Sequence, residues 1–206
     1  MSKNKLIIRE LGLQDYQTTW DKMREFTNNR DEHTQDELWL LSHPRIFTQG
    51  QTGKAEHILN PHDIPVVQSD RGGQVTYHGP GQLVGYCLFD LKRRGIGIRS
   101  LVKQLEQTLM DVLAKLEIKT QLREGAPGVF VDQAKIASLG LRVRRGYTYH
   151  GFSLNVDMDL TPFDWINTCG FQGLSVTQVA DFSTADMAQV IALCRACFLA
   201  GARVSQ

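Results

Sequence analysis

Two strand-like runs in the second half of the chain, residues 135–143 and 147–156, most constrain the fold. Both have the apolar and β-branched character of strands, and only Arg144, Arg145 and Gly146 separate them. A connection this short that contains glycine indicates a β-hairpin. The sheet therefore contains at least one long antiparallel pair.

Amphipathic helices are predicted over roughly residues 14–30, 98–116 and 184–199, where apolar residues recur every three to four positions. The second of these is the clearest because its apolar face continues for about five turns. Ser100 is its expected N-terminal cap.

Further strands are predicted between these helices, without a steady alternation of strand and helix. Their predicted ranges are 5–9, 37–42, 45–48, 65–69, 81–91 and 128–132. The range 81–91 is mostly apolar and is expected to be a central strand covered on both faces. This order favours an α+β fold with a mixed or antiparallel β-sheet flanked by helices. The length of 206 residues is suited to a single domain spanning 1–206.

Composition excludes several classes of protein. The 23 Lys and Arg residues nearly balance 22 Asp and Glu residues, which weighs against nucleic acid as a partner. The first ten residues lack the apolar core of a secretory signal, and the apolar stretch around Arg195 is too short to span a bilayer. Four cysteines in a chain of this length are typical of reduced thiols, so a cytoplasmic protein without membrane insertion is expected.

Three short motifs are incomplete. A phosphate loop ending at Lys54 would need glycine at Thr48 and Ser or Thr at Ala55. The segment around Ser153 lacks the second glycine of a nucleophile elbow. The Cys194–Cys197 pair falls in a helix and has no second pair of cysteines, so no metal site is expected there. Because the phosphate loop is incomplete as well, no nucleotide site is expected either.

The segment from Arg71 to Gln82 is dense in glycine. Glycine lets a backbone approach a ligand closely and adopt positive φ. In strand regions it also marks bulges and tight turns. Taken alone, the segment is therefore as consistent with a turn between strands as with a ligand-binding loop.

Cys169 and Lys135 are the candidate reactive residues. Cys169 precedes Gly170 in a loop-like stretch, where a thiol is accessible enough to react. Lys135 opens a strand that is otherwise apolar. From residue type alone, an inert thiol and a solvated lysine at a strand end are alternative interpretations.

Together these segments resemble the octanoyltransferase family of lipoate biosynthesis. The resemblance is carried, in the family's order, by residues 71–82, 135–140, 149–155 and 169–170. The family more often has proline where this chain has Thr168, a loop variation that leaves the cysteine in place.

The resemblance covers about residues 30–185 and implies a fold like that of the biotin and lipoate protein ligases. It implies octanoyl-acyl carrier protein as the donor. The implied acceptors are a lysine on the lipoyl domains of 2-oxoacid dehydrogenase complexes and on the glycine-cleavage H protein.

By the same resemblance, Cys169 carries the acyl group as a thioester and Lys135 lowers the pKa of the thiol. The residues that the resemblance places against the acyl substrate are Arg71, Gly72, Gly73, Gln74, Val75, Thr76, Tyr77, His78, Ser138, Leu139, Gly140, Gly151, Phe152 and Ser153.

Physical chemistry supports this assignment. A thioester is already activated, and transfer to cysteine preserves the activation, so no nucleotide or other cofactor is needed. Cysteine attacks as the thiolate, which a nearby ammonium favours. We expect Lys135 to accept the Cys169 proton and then to help deprotonate the incoming lysine amine.

Several details stay open. The oxyanion donors are the amides of either residues 72–74 or residues 139–140. His78 either orients the reacting thioester or bonds within its own loop. Basic clusters at residues 92–94 and 142–145 either dock an acidic carrier or merely solvate two turns. The apolar groove is expected to use Val75, Tyr77, Leu139 and Phe152.

Two other functions remain as alternatives. An ATP-dependent lipoate or biotin ligase on the same fold would activate its substrate as an adenylate and would not need Cys169. A non-catalytic module would bind lipoyl domains or acyl carriers without ever carrying an acyl group.

Overall fold

The computed structural model describes residues 6–167 and 174–204. These residues form an α+β fold with nine β-strands and four α-helices. The strands are β1 (Leu6–Leu13), β2 (Asp36–Ser42), β3 (Ile46–Gln49), β4 (Val66–Gln68), β5 (Val75–His78), β6 (Gln82–Leu88), β7 (Gly128–Val131), β8 (Ala134–Arg144) and β9 (Tyr147–Asn155). The helices are α1 (Tyr16–Asn29), α2 (Leu91–Arg94), α3 (Ile98–Ala114) and α4 (Met187–Val204).

The strands build a mixed six-stranded sheet and a smaller three-stranded sheet. The larger sheet has the order β1-β2-β6-β9-β8-β7, in which β1 and β2 are parallel and the remaining pairs are antiparallel. The smaller sheet has the order β4-β3-β5. Every residue of β6 is buried and the strand lies in the middle of the large sheet, which confirms the predicted central strand.

The predicted hairpin is the longest strand pair. β8 and β9 pair from Ala137 opposite Leu154 to Arg144 opposite Tyr147. Arg145 and Gly146 close the turn with φ values of 55° and 86°. Two consecutive positive φ values match the twist of the flanking strands, and glycine adopts them at little cost.

The ends of several elements differ from the prediction. β6 stops at Leu88 because the carboxylate of Asp90 caps α2, accepting a hydrogen bond from the Arg93 amide at 2.9 Å. The cap of α3 is Gly97 and not Ser100, which lies inside the first turn. Asp186 accepts a hydrogen bond from the Gln189 amide at 2.8 Å, and the final helix accordingly begins later than expected.

The helices cover the two faces of the large sheet. Leu105 and Leu109 of α3 and Val190 of α4 pack into the main hydrophobic core on one face. Met23 of α1 packs with Trp39 on the other face. Both faces of the sheet can hold apolar side chains because successive residues of a strand point to opposite faces. Among the described residues, no helix is both long and apolar enough to cross a membrane.

Candidate active site

A cavity of about 290 Å³ lies between β8, β9 and the loop that precedes β5. All the predicted substrate-lining residues except Tyr77 are in its wall, and Lys135 is there with them. β8 runs along the cavity from Lys135 to Leu141, which is a length of about 20 Å for six steps along the strand. The fold therefore brings together three segments that are far apart in the sequence.

Glycines allow the loop to approach β8 backbone to backbone. The Gly72 amide donates a hydrogen bond to the Leu141 carbonyl oxygen at 2.9 Å. A Cβ atom on Gly140 would meet the Gly72 carbonyl oxygen at 2.9 Å, and one on Gly72 would meet the Leu141 oxygen at 3.1 Å. A larger residue at Gly140 would push the loop away from the strand.

Arg71 is buried and clamps this loop. Its Nε donates to the Thr48 hydroxyl at 2.9 Å, and its Nη2 donates to the Thr48 carbonyl oxygen. Further hydrogen bonds reach the carbonyl oxygens of Gly72 at 3.0 Å and Gln74 at 2.6 Å. The planar guanidinium thus ties the loop to the neighbouring strand β3.

His78 is a neutral member of the cavity wall. Burial, together with the smaller effect of nearby His43, lowers its pKa to about 3. Its Nδ1 lies 2.7 Å from Gln82 Oε1, and its Nε2 makes a longer contact of 3.5 Å with the Thr48 hydroxyl. Of the two predicted roles for His78, these contacts favour bonding within the protein.

An aspartate that the sequence did not single out organises the same end of the cavity. Asp70 accepts hydrogen bonds from Trp20 Nε1 at 2.9 Å and from the Tyr149 hydroxyl, and it lies 2.9 Å from His150 Nε2. Burial raises the pKa of Asp70, but the hydrogen bonds from His150 and Tyr149 outweigh it and lower the value to about 2.

His150 faces the cavity from an unusual backbone position within β9. Its φ is 56°, in the left-handed region that a residue with a side chain enters only at a cost. Burial lowers its pKa, so the ring is neutral, and ionised Asp70 orients it with the proton on Nε2. No sequence spacing connects residues 70 and 150, and only the fold reveals the pair.

Tyrosines complete this polar end. Tyr16 and Tyr86 both line the cavity. The Tyr16 hydroxyl donates to Ser69 Oγ at 2.8 Å, and the Tyr86 hydroxyl lies 2.7 Å from His43 Nε2. Burial lowers the pKa of His43 to about 4, so it too is neutral. We name Asp70, His43, His78 and His150, together with these two tyrosines, the histidine end.

Lys135 forms the opposite end of the cavity and is only 2% exposed. Its Nζ donates to the Pro127 carbonyl oxygen at 3.1 Å and lies 5.2 Å from the centre of the Phe130 ring. The interpretation of Lys135 as a solvated residue at a strand end is therefore excluded. Burying an ammonium-bearing side chain is costly, and this makes Lys135 a candidate functional residue.

Cys169, the predicted nucleophile, lies outside the described residues. The chain that follows it returns to Lys135: the Lys135 amide donates to the Ser175 carbonyl oxygen at 2.8 Å, and the Thr177 amide donates to the Lys135 oxygen at 3.0 Å. Of the three cysteines in the described part of the chain, none lines the cavity. Burial raises the pKa of Cys194 to about 12, which makes its thiol a poor nucleophile.

Tyr77 does not lie where the sequence placed it. Its side chain packs against Phe47 and Phe163, with ring centres 5.5 Å apart in both pairs. Side chains alternate across β5, so Thr76 and His78 reach the cavity and Tyr77 points into the core beneath the small sheet. The apolar groove therefore contains Val75, Leu139 and Phe152 as predicted but not Tyr77.

The two basic clusters differ in the structure. Arg93 and Arg94 both pair with the buried carboxylate of Asp36 at 2.6 Å, and so does Arg30. Arg144 and Arg145 are exposed at the hairpin turn. The first cluster is thus largely structural, whereas the hairpin cluster is available to a partner.

Comparison with known proteins identifies the family of this chain. The family described as the lipoyl protein ligase A/B catalytic domain matches residues 15–199. An octanoyltransferase from Shewanella amazonensis is 59% identical over 178 residues, which cover 86% of this chain and 82% of that protein. One from Marinobacter nauticus is 62% identical over 177 residues, covering 86% and 84%. The chain belongs to the lipoyl protein ligase A/B catalytic domain family and, within it, to the octanoyltransferases, which are acyltransferases.

Solved structures confirm the fold. A lipoate-protein ligase A bound with ATP superimposes with a TM-score of 0.79 at 16% identity, covering 97% of this chain and 85% of that one. A biotin protein ligase from Aquifex aeolicus gives 0.57 at 14% identity, covering 98% and 70%. The α+β fold is that of the lipoate and biotin protein ligases.

Proposed function

We propose that this protein transfers an octanoyl group from octanoyl-acyl carrier protein to a lysine of lipoyl domains, through a thioester on Cys169. The observation that carries the proposal is the buried amine of Lys135 in the wall of a largely apolar cavity. The same wall contains the glycine-rich loop that the resemblance assigns to the acyl substrate. The high identity to octanoyltransferases supports the choice of acyl group.

The path of the chain supports Cys169 as the partner of Lys135. Ser175 is hydrogen-bonded to the Lys135 backbone and lies six positions after Cys169 in the sequence. Six residues span at most roughly 20 Å, so the length of the chain allows the thiol to reach the amine. An ammonium within a few ångströms stabilises the thiolate, and each unit by which the thiol pKa falls corresponds to about 1.4 kcal/mol.

Proton transfer completes the proposed cycle. Lys135 takes the proton from the Cys169 thiol as the sulfur attacks the donor thioester, and it passes this proton to the departing carrier thiolate, which leaves as its thiol. In the second half, Lys135 helps to remove a proton from the acceptor amine, which attacks the enzyme thioester and releases Cys169. Both halves exchange one acyl bond for another, so the cycle requires no nucleotide.

The cavity provides binding energy and oxyanion stabilisation. Burying the six methylenes of an octanoyl chain yields a gross gain of about 5 kcal/mol before ordering costs. The amide of Gly72 is committed to Leu141, so the oxyanion donors in the glycine-rich loop are narrowed to Gly73 and Gln74. The amides of residues 139–140 remain the alternative donors.

Partner docking is proposed at the hairpin turn. Exposed Arg144 and Arg145 lie on the same hairpin that forms the cavity wall, so an acidic carrier bound there would rest on the element that lines the cavity. The proposed acceptors are the lipoyl domains of 2-oxoacid dehydrogenase complexes and the glycine-cleavage H protein.

The test is to mix the protein with octanoyl-acyl carrier protein without ATP and to measure its intact mass. We expect an octanoyl adduct that hydroxylamine removes, that is absent in Cys169→Ala and that persists in the matched control Cys197→Ser. Lipoyl-domain modification that requires ATP and survives Cys169→Ala would instead indicate a ligase. Binding without any acyl transfer would indicate a non-catalytic module.

A further inference from the structure

Glu106 is a buried carboxylate on the inner face of α3. It is 8% exposed, whereas the neighbouring buried positions of the helix, such as Leu105 and Leu109, are aliphatic. Glutamate is rarely buried unless it is paired. Here Glu106 Oε1 accepts a hydrogen bond from the Gly128 amide at 3.0 Å. α3 thereby anchors the first residue of β7.

Gly128 in turn is shaped around Lys135. Its φ is 137°, which disfavours any residue with a side chain. A Cβ atom at this position would meet the Lys135 Cε at 3.1 Å and the Ala137 carbonyl oxygen at 2.5 Å. Substituting Gly128 would therefore displace either the backbone or the lysine.

One peptide group links Glu106 to Lys135. The Pro127 carbonyl, which accepts the hydrogen bond from Lys135 Nζ, and the Gly128 amide, which donates to Glu106, are the two polar ends of the same peptide plane. Because a peptide group is rigid and planar, fixing its N–H also fixes the direction of its C=O.

We propose that Glu106 is a positioning residue for Lys135: it fixes the Pro127–Gly128 peptide, whose carbonyl holds the lysine amine at the cavity wall. This inference rests on the proposed role of Lys135 in activating Cys169 and extends that role to α3. Glu106 touches neither substrate nor the reacting atoms in this scheme and acts only through the peptide.

The test compares two substitutions of similar size. Glu106→Gln keeps an oxygen that accepts the Gly128 hydrogen bond, whereas Glu106→Met removes it. The readout is the rate of Cys169 alkylation by iodoacetamide from about pH 5 to pH 10, followed by peptide mass spectrometry, which reports the apparent thiol pKa. Asp111→Asn, at an exposed carboxylate on the same helix, is the matched control.

We expect Glu106→Met to raise the apparent pKa of Cys169 by about one unit and to slow octanoyl transfer about tenfold at neutral pH. Glu106→Gln and Asp111→Asn should keep the parent profile. A parent-like profile in folded Glu106→Met overturns the proposal. A shifted profile in Glu106→Gln contradicts it independently, even where Glu106→Met is too unstable to assay.

Lys135→Met in the same assay separates this inference from the proposed function. If Lys135→Met leaves the Cys169 profile unchanged, the proposed activation by lysine fails. If Lys135→Met shifts the profile and folded Glu106→Met does not, only the positioning role of Glu106 fails.

Discussion

The two ends of the cavity differ in how their polar groups are held. At the histidine end, Asp70 binds three side chains from α1 and β9, and burial keeps His43, His78 and His150 neutral. At the other end, the amine of Lys135 meets a backbone carbonyl and the face of an aromatic ring. The first arrangement is a fixed network of hydrogen-bonded side chains suited to recognition, whereas the second holds the buried amine to which we assign proton transfer.

The largest effect is expected at the lysine end. Lys135→Met should reduce octanoyl transfer by roughly 10²–10⁴-fold, because both the charge and the proton acceptor are lost. Lys135→Arg should be similarly slow, since guanidinium keeps its proton. Steady-state kinetics with Lys92→Met as the matched control measures this effect. Normal turnover of Lys135→Arg would show that Lys135 shuttles no proton.

The histidine end should respond mainly in stability. Asp70→Asn replaces a carboxylate that accepts hydrogen bonds from Trp20, Tyr149 and His150 with a neutral amide. We expect the free energy of unfolding to fall by about 2–3 kcal/mol, as measured with urea. Asp21→Asn on the exposed face of α1 is the control. If the free energy of unfolding of Asp70→Asn fell no further than that of this control, the hydrogen bonds to Asp70 would not stabilise the fold as proposed.

The neutral histidines predict a loss of stability in acid. The pKa of His43 is about 4 in the folded protein and 6.5 when unperturbed, so the unfolded state binds more protons between these values. Stability should therefore fall as the pH decreases through that window. His43 alone contributes about 2 kcal/mol of this loss between pH 7 and pH 5.

Urea unfolding at the two pH values checks this prediction. His43→Gln should lower stability at pH 7 but should show a smaller difference between pH 7 and pH 5 than the parent protein. An equal difference in both proteins would mean that His43 does not contribute to this loss of stability.

The smallest effect is expected outside the cavity, at the hairpin turn. The double substitution Arg144→Glu, Arg145→Glu should raise the KM for the acyl carrier by roughly 3–10-fold. It should also make this KM depend less on salt concentration. Lys92→Glu, in the cluster that is mainly structural, should change the KM less. Equal effects would place carrier docking elsewhere.

The contrast between the two ends also shows what sequence could predict. The hairpin, the central strand and the long helix follow from local periodicity, and the structure has them at nearly the predicted positions. The glycine-rich loop and Lys135 were found through motifs that are contiguous in the chain. These features are encoded in neighbouring residues, which is why they were predictable.

The features that were missed depend on contacts between distant residues. Asp70 and His150 are 80 residues apart in sequence and meet only because the loop folds over β9. Glu106 looks like one polar position in an amphipathic helix until the Gly128 amide is placed beside it. Tyr77 was misplaced because its motif did not reveal which face of β5 it occupies.

The central claim is that acyl transfer passes through Cys169, and rapid-quench single-turnover kinetics tests it most directly. The octanoyl enzyme, prepared without ATP and freed of carrier, is mixed with a lipoyl domain, and the loss of the adduct is followed together with the gain of octanoyl on the domain. We predict that both proceed at the same rate, at least as fast as steady-state turnover. An adduct that never transfers, or that transfers more slowly than turnover, would contradict the account.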